Sequence, residues 1–317
     1  MNDILSARGL ADRALMKRLL AAWDRIFNQI EPDLIVGDLA PAASLAARGR
    51  IPLLLVGNGY TLPPAAMRRF PPLHRLADPQ WNEEETLSAV NDVLREAGRP
   101  PLQYLPQLFA ADARSVQTFA LLDPYDLQRT EPLDGPIFER AAVARIGDGD
   151  NIFVYLSGGY PVARTLIPAL AVFGGRVHIY APGMPASGRE MLAAARANIH
   201  AEPVELAAML STSRLAIHTG GSGVAAEALA AGVPQLILSW HIEQDLNGEA
   251  LQRAGVGRVI RTYDPAVGIS PSLIDDLLAD RRMLARAEES GHLHRAILAD
   301  SDPKARWESR CLELLRT

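Results

Sequence analysis

Apolar residues recur along this chain in two rhythms, and the rhythms alternate in a regular order. Leu15, Leu19, Leu20, Trp23 and Ile26 fall at helical spacing and predict an amphipathic helix over 10–29. Pro32 breaks it. Leu34-Ile35-Val36 predicts a short buried strand ending at Gly37-Asp38, and an Ala-rich helix with Pro41 at its start follows over 41–48. Ile51 to Val56 predicts a second buried strand, ending at Gly57-Asn58-Gly59. Strand, helix, strand in so short a stretch is a parallel βαβ unit.

From Tyr60 to Asp78 the pattern fades into prolines, with Pro63-Pro64 and Pro71-Pro72, and predicts a long surface loop. Glu83 to Ala97 returns to helix, and 98–150 is mixed. Thr130 to Asp150 has the composition of a linker, with Pro132, Gly135, Pro136 and Gly147 to Asp150. The second half alternates more clearly. Strands are predicted at Asn151–Ser157, Val177–Tyr180, near Ile199, at Leu215–His218 and at Gln235–Trp240. Helices are predicted at Val162–Phe173, Glu190–Ala197, Glu205–Leu210, Val224–Ala231 and Gln244–Ala254. Arg282 to Leu315 reads as mostly helical. The fold class is therefore α/β, with a doubly wound parallel sheet in the second half. The expected division is 1–135 and 136–317, the second part including the C-terminal helices.

Composition narrows the partners. The 317 residues suffice for two domains, and a net charge of −5 favours neither nucleic acid nor an anionic membrane as the main partner. The single Cys311 cannot form an internal disulfide, which suits a reduced, cytoplasmic protein. Charged and polar residues interrupt Met1 to Arg18, so no signal peptide is expected there, and no apolar run reaches the roughly 18 residues of a membrane span.

The candidate chemistry centres on one turn. A strand ends at His218, Thr219 follows, and Gly220-Gly221-Ser222-Gly223 leads at once into a helix. Such a turn exposes the first helical N–H groups at the positive end of the helix dipole, and the glycines let a ligand approach the backbone. The natural guest is a phosphate. A tight strand-to-helix turn without a ligand is the plainer reading. Gly221-Ser222-Gly223-Val224-Ala225-Ala226 also fits a loose dinucleotide fingerprint, with Glu243 as the acidic residue beyond it. An NAD(P)-dependent oxidoreductase is therefore a rival, although such fingerprints usually follow the first strand of their unit. His241, Glu243 and Asp245 are close in sequence, as are His292 and His294. A strand end and a helix would splay the first set, and no metal site is expected.

The stretch His218 to Pro234, with Glu227 and Gly232 inside it, resembles the donor signature of the glycosyltransferases that include macrolide and UDP-glucuronosyl transferases. Glu243-Gln244, the downstream Asn247, and the closing Gly255-Val256-Gly257 extend the resemblance. Pro32 to Asp38, followed by the Ala-rich helix and Ile51-Pro52, resembles the middle of that family's acceptor domain. The resemblance implies two Rossmann-like domains (GT-B), the N-terminal one shortened, with a nucleotide-diphosphate sugar held mainly by the second. It implies that Gly221, Ser222 and Gly223, beside His218, Thr219 and Gly220, meet the diphosphate. Glu243 and Gln244 would bind sugar hydroxyls, Pro203-Val204 would lie by the nucleobase, and Gly158 would line the cleft. It implies no cofactor and a metal-independent transfer to a hydroxyl acceptor, which Leu62-Pro63-Pro64 and Phe70-Pro71-Pro72 suggest is apolar.

The chain departs from that family in two places. Thr219 stands where the family has a histidine eight residues before the position of Glu227, so the contact brings no positive charge unless His218 takes it over. The family's general base is a histidine early in the first domain, oriented by an aspartate. Asp38 matches the aspartate, or else caps the next helix. No histidine precedes His74, itself either a base or a solvent-facing loop residue. Three readings follow: a fragment of a longer enzyme, a chain completed by a partner subunit, or a non-catalytic nucleotide-sugar binding protein.

Overall fold

The computed structural model describes residues 1–73, 78–138, 144, 149–156, 163–264 and 267–316. His74 and Gly158, with parts of the 130–150 stretch, lie outside the described residues. The chain divides into two units, Met1–Gly135 with Asp302–Thr317, and Pro136–Ser301. The reading that gave all the C-terminal helices to the second unit is corrected at its last helix, for a reason given below.

Unit 1 begins with a short helix α1 (Asn2–Leu5) and a π-helical turn. Gly9, at φ 104°, breaks the path before α2 (Arg13–Ile30), which Asp12 caps by accepting from the Leu15 N–H. A parallel three-stranded sheet follows, with β1 (Ile35–Asp38), helix α3 (Pro41–Ala47) and β2 (Leu53–Gly57). Helix α4 (Glu83–Glu96) leads to β3 (Ala113–Val116). The sheet order is β1-β2-β3, with Ile35 beside Leu53 and Leu54 beside Ala113.

The third strand was missed in the sequence because it is polar. Its Ser115 is fully buried and donates to Asp134, which also receives Arg310 from the C-terminal end of the chain. That ion pair fixes the last helix, α12 (Pro303–Leu314), against β2 and β3, and so assigns it to unit 1.

The proline-rich stretch is not a surface loop through its first half. Tyr60, Leu62, Pro63, Pro64, Met67 and Phe70 are buried. Two arginines tie the segment down by its carbonyls. Arg114 donates to the Pro63 carbonyl at 2.6 Å, and Arg129 to those of Leu62 and Gly59 at 3.1 and 3.3 Å. Arg129 also pairs with the fully buried Asp123 carboxylate. Of the apolar residues read as an acceptor loop, Leu62, Pro63, Pro64 and Phe70 therefore pack into unit 1 itself, and Pro72 is exposed.

Unit 2 is a six-stranded, wholly parallel sheet. In chain order it contains β4 (Asn151–Tyr155), α5 (Ala163–Ala171), β5 (Val177–Tyr180), α6 (Ala186–Ala194), β6 (Asn198–His200), α7 (Leu206–Ser211), β7 (Ser213–His218), α8 (Ser222–Ala231), β8 (Gln235–Ser239), α9 (Ile242–Ala254) and β9 (Gly257–Arg261). Helices α10 (Pro271–Ala279) and α11 (Arg281–Asp300) complete it. Strand order is β6-β5-β4-β7-β8-β9. This is the doubly wound arrangement, and the order reverses between β4 and β7.

Alternation along the strands builds two cores. Ile152, Val154, Leu215, Ile217, Leu236 and Leu238 pack on one side with Leu166, Ile167, Leu192 and Ile274. Phe153 and Ala216 face the other side with Leu210, Ala228, Ala231 and Val233. Helix α8 is buried over most of its surface because α11 crosses it. Gly232, at φ 79°, ends α8, and a side chain at Gly291 of α11 would come within 2.7 Å of the Gly232 backbone. No helix among the described residues is long and apolar enough to cross a membrane.

Candidate functional site

The glycine turn lies at the carboxyl end of β7, next to the strand-order reversal, where open parallel sheets bind their ligands. The turn is shaped from below by His218. Its Nδ1 accepts from the Gly220 N–H at 3.0 Å, so the ring proton sits on Nε2 and is donated to Gln235 Oε1 at 2.9 Å. Gln235 Nε2 in turn donates to the Ala225 carbonyl in α8. The ring is buried and its pKa is lowered to about 4, mainly by desolvation, against the hydrogen bond to Gln235. This corrects the reading of His218 as a ligand contact. It is neutral, faces inward, and has both ring nitrogens engaged.

Gly220 takes φ 90°, a conformation that side chains rarely adopt, and a Cβ there would press on Ile237 Cγ2 at 2.6 Å. Gly221 and Gly223 differ. A Cβ on either would meet nothing within 4 Å, so the space over the turn is open to a ligand. Gly221 is the N-cap of α8 and supplies no capping side chain. The helical ladder first closes at the Ala225 N–H, which donates to the Gly221 carbonyl. The amides of Gly223 and Val224 therefore have no acceptor within the helix, and they stand at its positive end. Thr219 is buried at the rim.

Helix α9 closes the other side. Ser222 Oγ donates to Glu243 Oε1 at 2.8 Å, and Asn247 Nδ2 donates to the Gly220 carbonyl at 2.9 Å and to Ser222 Oγ at 3.1 Å. Gln244 is buried, and its Oε1 accepts from the Trp240 N–H at 3.0 Å. The structure thus brings Ser222, Glu243, Gln244 and Asn247 together around the turn. Asn247, noted in the sequence only as part of the resemblance, fixes the conformation of Gly220.

A second layer was not read from the sequence at all. Asp245 accepts from Ser239 Oγ at 2.5 Å and from the Tyr263 hydroxyl at 3.0 Å, which ties the first turn of α9 to β8 and to the segment after β9. The partly exposed Trp240 stands at the end of β8. Among the described residues no group of three or more His, Cys, Asp or Glu is placed to hold a metal ion.

Val204, read as a nucleobase neighbour, packs against the cluster of Phe153, Leu210 and Ala228. Asp38 belongs to unit 1. It is exposed at the end of β1, and the N-cap of α3 is Ala40 rather than Asp38.

The chain is similar to known proteins in sequence and in fold. Residues 175–305, which include the whole turn and α9, match the family model of the erythromycin biosynthesis protein CIII-like C-terminal domain. Residues 175–305 are thus similar to the C-terminal domain of that family, and the chain has the fold of solved GT-B glycosyltransferases. Its relatives include a PGL/p-HBAD biosynthesis rhamnosyltransferase of Mycobacterium bovis, 30% identical over 295 residues, covering 82% of this chain and 63% of the relative. The chain thus spans less than two thirds of the length of that relative. Among solved structures, the glycosyltransferase VinC in complex with DTDP has a TM-score of 0.64 at 17% identity, covering 97% of this chain and 80% of that one. The calicheamicin glycosyltransferase CalG4 has a TM-score of 0.61 at 20% identity, covering 93% and 78%.

Proposed function

We propose that unit 2 binds a nucleoside-diphosphate sugar at the β7–α8 turn, and that the protein transfers the sugar to a hydroxyl group of an apolar acceptor. The observation that carries this reading is the open space over Gly221 and Gly223 beside amides that the helix leaves without acceptors. The diphosphate lies across these amides, meeting Ser222 through its backbone, with the Thr219 hydroxyl as a further donor. Donors fixed in advance stabilise the negative charge that grows on the leaving diphosphate as the glycosidic bond breaks. In this reading the protein brings no metal to that step. Glu243 and Gln244 take the sugar hydroxyls, a carboxylate accepting and an amide both donating and accepting. His218 positions the turn without touching the ligand. Val204 lies on the nucleobase side.

The name of the mycobacterial relative supports a rhamnosyl donor. The acceptor class is supported by the spinosyn rhamnosyltransferase solved with its aglycone, a structural neighbour at a TM-score of 0.56. Asp38 serves to orient the base in unit 1.

Calorimetric titration with dTDP- and UDP-sugars tests the reading. The wild-type chain binds one of them, and Gly221→Val abolishes binding while leaving the thermal unfolding profile intact. Unchanged affinity in the variant contradicts the site, and tight NAD binding without nucleotide-sugar binding restores the oxidoreductase. Incubation with a hydroxylated apolar acceptor, read by mass spectrometry, separates transfer from binding alone.

A further inference from the structure

A second cavity in unit 2, of about 690 Å³, lies away from the glycine turn. Its lining runs from the end of α9 through the first residues of β9 to the start of α11. Gly257 pairs with Gln235 at the amino-terminal edge of the sheet, whereas the donor turn follows the carboxyl end of β7. The two sites therefore sit at opposite edges.

Three exposed arginines line this cavity, Arg258, Arg282 and Arg286. No ion pair or side-chain hydrogen bond joins any of them to another described residue. Gly255, at φ 71°, lacks the side chain that would collide with the Arg286 guanidinium, so that group lies close to the end of α9. The negative end of that helix explains one cation there. It does not explain Arg258 and Arg282. The lining has one carboxylate, Asp280, and its Oδ1 already accepts from the amides of Arg282 and Met283 at 2.9 Å as the cap of α11. The Gln252 side-chain Oε1 is likewise taken, by the Val259 N–H at 3.1 Å. On a chain of net charge −5, a concavity with three such guanidinium groups is not the general character of the surface.

Planar guanidinium groups match phosphate oxygens with paired, charge-assisted hydrogen bonds. We propose that this cavity binds a phosphate-bearing anion, independently of the donor turn. The shared chemistry is a phosphate monoester or diphosphate, whether free in solution or carried by a lipid headgroup.

The test uses the full chain in the Gly221→Val background, which closes the donor turn. Inorganic pyrophosphate is titrated calorimetrically at low salt, and vesicles of phosphatidylcholine with and without phosphatidic acid are sedimented with the protein. The expected result is pyrophosphate binding that Arg258→Ala/Arg282→Ala weakens by at least about tenfold. Sedimentation with phosphatidic acid vesicles, lost in the same variant without pyrophosphate binding, assigns the lipid source. In either case circular dichroism shows the double variant folded. The proposal is overturned if neither probe distinguishes the double variant from its parent, or if Gly221→Val alone removes pyrophosphate binding.

Discussion

His218 shows how a residue matched by position can have a different job by geometry. Strand alternation already places it on the side of Ala216, facing α8, because Leu215 and Ile217 face the other core. Its inward direction was therefore legible, but its partner Gln235, on the neighbouring strand, was not. A neutral buried imidazole makes stability depend on pH. The folded-state pKa, about 4, lies below the usual 6.5, so the unfolded chain takes up a proton that the folded one refuses. Stability from this residue is complete above about pH 6.5 and falls by roughly 3 kcal/mol as pH drops toward 4. Urea unfolding across that range should show the slope, and His218→Gln should flatten it. The adjacent glycines separate folding from binding. Gly220→Ala should cost about 1–3 kcal/mol, because its φ of 90° and the Ile237 contact leave no room. Gly221→Ala should cost little by comparison, a contrast that paired urea melts would measure.

At the level of elements, the second half was readable because apolar strands alternate with helices, and the structure returns the strands and helices named there. β9 and α10 were not named there, and in the first half what escaped were elements whose polar residues are satisfied by distant partners. β3 carries Arg114 and Ser115 inside the fold, and the Glu131 carboxylate, the carbonyls of Leu62 and Pro63, and Asp134 make that tolerable. α12 was given to the wrong unit because a pairing across 176 residues, Arg310 with Asp134, leaves no local mark. The proline-rich segment was called exposed from its composition, yet Arg129 and Asp123 hold it from inside. The Arg129 and Asp123 side chains are 3% and 0% exposed, and removing Asp123 leaves the buried Arg129 with only Glu131 and the Gly59 and Leu62 carbonyls. Asp123→Ala should destabilise unit 1 by about 3–5 kcal/mol. Hydrogen exchange at residues 53–57 and 113–116 should report it as faster opening, and unchanged protection there would show that the pair does not hold the segment.

For the whole molecule, the division into two α/β units follows from the alternation of elements, and the family match covers the turn that the glycines marked. The chain spans 63% of the mycobacterial relative, and Asp38 in unit 1 was identified through resemblance alone. The donor side rests on local physics, namely open space, helix amides without acceptors, and a histidine and an asparagine holding the turn. A crystal structure of the chain with a nucleoside-diphosphate sugar tests this most directly. Phosphate oxygens within hydrogen-bonding distance of the Gly223 and Val224 amides, with the sugar against Glu243 and Gln244, are the predicted result. Density for the diphosphate elsewhere, with the space over Gly221 and Gly223 occupied only by solvent, would contradict the account.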